Sequence, residues 1–230
     1  MILFENRIQA EAVIFDFDGV IVDTEPLHYK SFQRVLEPLD LGFGWEDYVE
    51  TYMGFDDRDA FLEAFAAGGR KLNPDALQSL IMQKALLFQD VIRGGVTAYP
   101  GVVDLINRLH AERIPLAISS GALRADINPI LTLLGIQKCF DVIVTAEDVT
   151  KSKPDPESYQ LSFDMLCNLH NMSYSKSATV AIEDTPAGIL SAKLAGLQVI
   201  AVSNSYLPEK LSDASFVTDS LKRLVDFVSI

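Results

Sequence analysis

The sequence predicts an α/β fold: a doubly wound, Rossmann-like parallel sheet core with an inserted α-helical cap domain. Three observations predict it. The apolar run Val13-Ile14-Phe15 ends abruptly in Asp16 and Asp18, as a buried strand does where it delivers side chains to the carboxyl edge of an open sheet. From Gly101 onward, short apolar runs alternate with helical spacing, the pattern of a parallel sheet. Between these two regions, residues 24–96 carry helical periodicity and no strand pattern. The predicted domains are a discontinuous core, residues 1–23 and 97–230, and a helical insertion, residues 24–96. With 230 residues, 49% of them apolar, the chain can build one full core and a smaller second one.

Taken in order, the strand before Asp16 turns at Gly19, which leaves no side chain between the acids and an incoming ligand. Pro26 opens a helix with an apolar face of Leu27, Phe32, Val35 and Leu36; Phe61, Leu62 and Phe65 supply another, and Leu77, Leu80, Ile81 and Phe88 a third. Trp45 and the Phe55, Phe61 and Phe65 group read as cap packing. Gly94-Gly95 and Tyr99-Pro100-Gly101 mark the return to the core. A helix to about Ala111 then precedes a strand at Leu116–Ser119, a helix around Ala125–Leu134 and a strand at Val142–Val144. Helix, strand and helix follow through Ala195, then strands near Val199–Val202 and Phe216–Val217, and a final helix from about Ser220.

Four strand ends carry chemistry. Asp16 and Asp18 are one; Glu183-Asp184, after the apolar run Thr179–Ile182 and before Pro186, is another. If these strands are parallel neighbours, Asp16, Glu183 and Asp184 meet at one edge, and clustered carboxylates require a cation; oxygen-only ligands point to magnesium. Asp184 or Thr185 also suits the capping of the helix that Pro186 opens. Ser119-Ser120-Gly121 releases a hydroxyl into a turn whose amides suit phosphate oxygens, although serine and glycine are also ordinary turn residues. Lys151-Ser152-Lys153-Pro154-Asp155-Pro156 stiffens the chain around a lysine that either neutralises phosphoryl oxygens or sits solvated at a helix start.

In this order the motifs resemble those of the haloacid dehalogenase superfamily, in its helically capped phosphatase and β-phosphoglucomutase-like branch. Asp-Phe-Asp-Gly-Val-Ile-Val-Asp-Thr-Glu and Ile-Glu-Asp-Thr-Pro-Ala-Gly are the specific signatures, and the resemblance spans most of the chain. It implies Asp16 as nucleophile and Asp18 as general acid and base. It also implies Mg2+ held by the Asp16 and Asp184 carboxylates and the Asp18 carbonyl, with Glu183 bound directly or through water. Ser119 would hold the phosphoryl group and Lys153 would link it to the nucleophile. His28, Arg58 and Lys84 in the cap, with Ser120 and Gly121, are the implied substrate contacts, a helix-surface His28 and a solvated Lys84 being the alternative reading. Arg58 lies one residue farther from Gly54 in Gly54-Phe55-Asp56-Asp57 than the mutase pattern places its arginine. Ala122 stands where mutase relatives carry a basic residue.

These residues predict a magnesium-dependent phosphatase for a small phosphorylated metabolite such as a sugar phosphate, working through an aspartyl-phosphate. A phosphosugar mutase is the alternative, and a non-catalytic metabolite-binding protein is the reading from a different class. A dehalogenase fits less well, because its relatives lack an acid equivalent to Asp18. A net charge of −13 argues against nucleic-acid or membrane-surface partners. Cys139 and Cys167 have no metal-ligand spacing and read as thiols of a reducing compartment. Met1–Phe4 is too short for a signal sequence, so the expected location is cytoplasmic. Oligomeric state and natural substrate leave no mark in the sequence.

Overall fold

A computed structural model describes residues 1–4, 8–53, 55, 57–226 and 228–229. Gly54 and Asp56 of the cap motif lie outside the described residues. The chain forms two compact units, Met1–Asp23 with Thr97–Ile230, and Thr24–Val96.

The first unit is built on a six-stranded parallel sheet of β3 (Ala12–Phe15), β4 (Leu116–Ser119), β5 (Val142–Val144), β6 (Thr179–Glu183), β7 (Gln198–Val202) and β8 (Phe216–Thr218). Its spatial order is β5-β4-β3-β6-β7-β8, the doubly wound order that reverses direction between β3 and β6. Side chains leaving the carboxyl ends of those two strands therefore meet at the switch point. The register enforces this: Phe15 pairs with Ile182 and with Ile118, so Asp16, Glu183 and Ser119 all sit one step beyond paired residues. Strands buried on both faces, as the wholly buried β3, β4 and β6 are, need the continuous apolar runs this sequence supplies. On one side, Ile14, Ala117, Ala181 and Val199 pack with Tyr159, Phe163, Ile189 and Ala192. Each large buried side chain contributes about 1.5–3 kcal/mol.

Helices α5 (Val102–Ala111), α6 (Arg124–Leu133), α7 (Glu157–His170) and α8 (Pro186–Leu194) complete the winding. Where the chain leaves and re-enters this unit its two segments run antiparallel, Val22 bridging Ala98 and the Asp23 N–H donating to the Thr97 carbonyl at 3.1 Å. A small antiparallel sheet, ordered β2 (Ile8–Ala10), β1 (Ile2–Phe4), β9 (Val228–Ser229), stands apart from the main one. It corrects the expected final helix. Only one tight helical turn, Leu221–Leu224, forms after Ser220, because the segment beyond it pairs with β1, Leu3 opposite Val228.

The second unit contains α1 (Glu25–Leu36), a short turn α2 (Trp45–Asp47) that runs into the wide turn Tyr48–Tyr52, α3 (Asp57–Ala67) and α4 (Pro74–Arg93), and no strand among its described residues. Phe32, Val35, Leu36, Tyr48, Tyr52, Phe61 and Phe65 form its core. Phe61 and Phe65 are buried in it, whereas Trp45 is 42% and Phe55 45% exposed, so those two aromatics border that core and are not sealed within it.

Candidate active site

The reversal point of the sheet gathers one ammonium and three carboxylates. Asp16, Glu183 and Asp184 are all buried, and an oxygen of each lies within 4.8 Å of one from the others, a group able to hold a metal ion. The Lys153 ammonium donates to Asp16 Oδ1 at 2.7 Å, to Glu183 Oε1 at 2.7 Å and to the Ser119 carbonyl at 3.0 Å. It also lies 4.8 Å from the centre of the Tyr159 ring.

Local structure explains why Lys153 arrives there. Glu157, at the start of α7, reaches back to accept from the Thr150 and Lys151 backbone N–H groups at 3.0 and 2.9 Å. Asp155 caps the same helix by accepting from the Glu157 N–H, and Ser191 of α8 donates to the Asp155 carbonyl at 2.6 Å. The loop is thus fixed at both ends between two helices, and the lysine projects inward from it.

Glu183 is saturated with donors. Its Oε1 accepts from Lys153 and from the Tyr159 hydroxyl at 2.8 Å; its Oε2 accepts from the Asp184 N–H, the Thr185 N–H and the Thr185 hydroxyl at 3.0, 3.2 and 3.2 Å. Gly188 makes space for this carboxylate, since a Cβ there would overlap it. Thr185 in turn caps α8 by accepting from the Gly188 N–H at 3.0 Å. The two readings of this acidic segment therefore separate by residue: Thr185 caps the helix, and Asp184 belongs to the carboxylate cluster.

Asp184 is different. Its Oδ2 accepts from the Ser205 hydroxyl, while its Oδ1 is buried without a hydrogen-bond partner. Ser119 Oγ is likewise buried and unpartnered. Orphaned buried oxygens are rare because each forfeits its hydration. Here they lie beside a cluster of carboxylates whose donor set is oxygen alone, which fits a hard divalent cation and a phosphoryl group.

The charge balance points the same way. Burial is the main cause that pushes Asp16 up to about 7, Lys153 opposing it and Glu183 and Asp18 adding to it. Asp184 is pushed up to about 8 by burial, then by the Asp16 and Glu183 charges. Burial would lower Lys153, but Asp16 and Glu183 more than reverse that and hold its pKa above the ordinary lysine value. Three carboxylates against one ammonium leave a deficit of positive charge.

The remaining expected residues are placed as follows. Asp18 is half-buried in the turn closed by the Gly19 N–H on the Val22 carbonyl, and its side chain is outside the three-carboxylate group. Ser120 accepts from the Ala122 N–H at 3.0 Å, so its hydroxyl shapes the turn, and Gly121 is exposed beside it. In the other unit Lys84 is not solvated: it is 3% exposed and donates to Asp57 at 2.6 Å and to His28 Nδ1 at 2.8 Å. The Phe32 and Phe88 rings flank its ammonium at 4.8 and 5.0 Å. Burial, with the Lys84 charge, holds the His28 pKa well below the ordinary histidine range, so the ring is neutral and accepts at Nδ1. Arg58 is exposed. Tyr159, Asn204 and Ser205 were not anticipated; their positions follow from chain crossings that no local motif records.

A family model described as haloacid dehalogenase-like hydrolase matches residues 13–202. The chain is 30% identical over 191 residues to a phosphorylated carbohydrates phosphatase of Thermotoga maritima, covering 83% of each protein. It is 31% identical over 196 residues to a β-phosphoglucomutase of Bacillus subtilis, covering 84% of this chain and 83% of that one. The crystal structure of CbbY from Rhodobacter sphaeroides in complex with phosphate superposes with a TM-score of 0.81 at 25% identity, over 93% of this chain and 95% of that chain.

Proposed function

Because the chain belongs to the haloacid dehalogenase-like hydrolase family, we propose that it is a magnesium-dependent phosphatase of a small phosphorylated metabolite, in the class of sugar phosphates. The observation that carries this reading is the cluster at the sheet reversal, an oxygen-only donor set that includes the unpartnered Asp184 Oδ1 and is joined through Lys153 to Ser119, whose buried hydroxyl also lacks a partner. The named relatives, a phosphatase of phosphorylated carbohydrates among them, support the substrate class.

In the first step an Asp16 oxygen attacks phosphorus and the bond from phosphorus to the ester oxygen breaks. Asp18 gives its proton to that departing oxygen. In the second, Asp18 takes a proton from water, whose oxygen attacks the same phosphorus. The bond to Asp16 breaks and inorganic phosphate leaves. Ser119 Oγ donates to a phosphoryl oxygen, which gives that orphaned hydroxyl a partner. Lys153 opposes the protonation of Asp16 that burial favours and orients its carboxylate. Asp16, Asp184 and the Asp18 carbonyl would hold Mg2+, which supplies positive charge to the transferring oxygens. Glu183, with five protein donors already on its oxygens, serves as counter-charge to Lys153 and anchor of the following turn rather than as a direct ligand.

The relative named as a β-phosphoglucomutase keeps a mutase as the second reading. A panel of metabolite phosphates assayed with and without Mg2+, scored for both free phosphate and rearranged sugar phosphate, decides between them. Phosphate release that needs Mg2+ is the expected result; rearranged product without free phosphate establishes the mutase, and turnover indifferent to chelation removes the metal. Asp184→Ala should weaken the magnesium dependence at least tenfold, within the range for loss of a metal-site group.

A further inference from the structure

Strand β7 lies beside β6 with Ala201 opposite Glu183, so the loop that follows β7 emerges next to Asp184. Two side chains of that loop reach the cluster and the turn beside it. The Asn204 amide donates to the Gly19 carbonyl at 2.6 Å, and the Ser205 hydroxyl donates to Asp184 Oδ2. Gly19, at φ +79°, lies so close to Asp184 that a Cβ would overlap its carboxylate. The turn after Asp18 and the acid after β6 are thus tied together by a third segment, whose Ser205 lies 21 residues beyond the acid it contacts.

We propose that Ser205 is a positioning residue that occupies one oxygen of Asp184 and so restricts this acid to one-oxygen ligation, biasing the site toward Mg2+ over Ca2+, with Asn204 holding the facing turn in register. The inference rests on the metal reading above. Asp184 is 1% exposed and its two oxygens are unequal, Oδ2 satisfied by a hydroxyl and Oδ1 bare. A carboxylate held this way keeps one oxygen free of protein donors, and the serine bond on the other opposes the rotation and desolvation that two-oxygen ligation would need. Mg2+ requires near-octahedral geometry at short distance, whereas Ca2+ accepts more oxygens and two-oxygen carboxylates. A hydroxyl that competes for the second oxygen therefore disfavours the larger ion. Partners that orient metal ligands typically change affinity by about 10–100-fold when removed.

The test is calorimetric titration of chelator-stripped protein with Mg2+ and with Ca2+, comparing wild type, Ser205→Ala, Ser205→Thr and Asn204→Ala. Ser205 is exposed as a residue, so the alanine variant should fold, which circular dichroism checks. In Ser205→Ala the Mg2+ affinity should fall about tenfold or more while Ca2+ affinity changes less, and Ser205→Thr should restore the wild-type ratio. Asn204→Ala should weaken both ions alike, since it loosens the turn without freeing an Asp184 oxygen. Wild-type selectivity in Ser205→Ala overturns this inference alone; a wild type that binds neither ion overturns the metal reading and this inference with it.

Discussion

Two lysines of this protein, Lys84 buried and Lys153 half-buried, have similar first contacts and different surroundings. Lys153 donates to Asp16 at 2.7 Å with an aromatic ring 4.8 Å away; Lys84 donates to Asp57 at 2.6 Å with rings at 4.8 and 5.0 Å. Around Lys84 the charges close: one carboxylate, and a neutral imidazole accepting at Nδ1. Around Lys153 they do not, because three buried carboxylates face one ammonium and two buried oxygens lack partners. A buried ion pair is therefore a poor indicator of a reactive site by itself. The remainder left after pairing, surplus charge and orphaned acceptors, is what marks the place where a ligand belongs.

The largest expected effect attacks the reactive cluster directly. Asp16→Asn should eliminate phosphate release while leaving circular dichroism and thermal unfolding close to wild type, and Asp18→Asn should cost about 10²–10⁴-fold in kcat. Normal turnover by Asp16→Asn would remove the nucleophile and make the two lysine sites equivalent.

Next come the lysines themselves. Lys153→Met in metal-free protein leaves Asp16 and Glu183 facing one another and should destabilise by about 3–5 kcal/mol in urea unfolding. Lys84→Met puts a flexible thioether between Phe32 and Phe88 and takes the donor from Asp57, whose side chain is 30% exposed and can hydrate, and from the neutral His28 Nδ1; the cost should stay below that of Lys153→Met. Equal losses would contradict the distinction.

The pH dependence should have opposite signs in the two units. In metal-free protein Asp16 and Asp184, raised to about 7 and about 8 from 3.8, keep protons that the unfolded chain has released, so core stability falls as pH rises across that interval. His28, lowered from 6.5, refuses a proton that the unfolded chain takes up, so stability of its unit falls as pH drops below 6.5. Hydrogen exchange followed segment by segment at pH 5 and pH 8 should show the two trends, and Mg2+ should flatten the first only. A smaller effect than that of Lys153→Met belongs to Tyr159→Phe. Removing one neutral donor from Glu183 should cost about 1.5–3 kcal/mol, with Lys153 and the Thr185 donors still in place.

How far the sequence could be read follows the range of the interactions. The strand before Asp16, the strand before Glu183 and the proline-opened helix after it were legible because burial, turn chemistry and capping are written within a few residues. The parallel alternation after Gly101 likewise gave the sheet. The N-terminal hairpin was not legible, since three-residue strands are too short to show a period, and the segment after Leu224 was misread as helix because its partner, β1, lies at the opposite end of the chain. In the same way, Lys84 reads in the sequence as either a substrate contact or a solvated charge, and only the packing of α1, α3 and α4 within that unit closed it between Asp57, His28 and two rings.

What the sequence alone determined is therefore the set of groups at the strand ends and the architecture that delivers them, because hydrophobic period and turn residues act locally. What tertiary structure decided is how those groups divide their lone pairs: Glu183 saturated by Lys153, Tyr159 and the Thr185 turn, Asp184 left with one bare oxygen by Ser205. Hydrogen-bond satisfaction depends on positions in space accurate to a few tenths of an ångström between residues far apart in the chain, and no run of neighbouring letters carries that information.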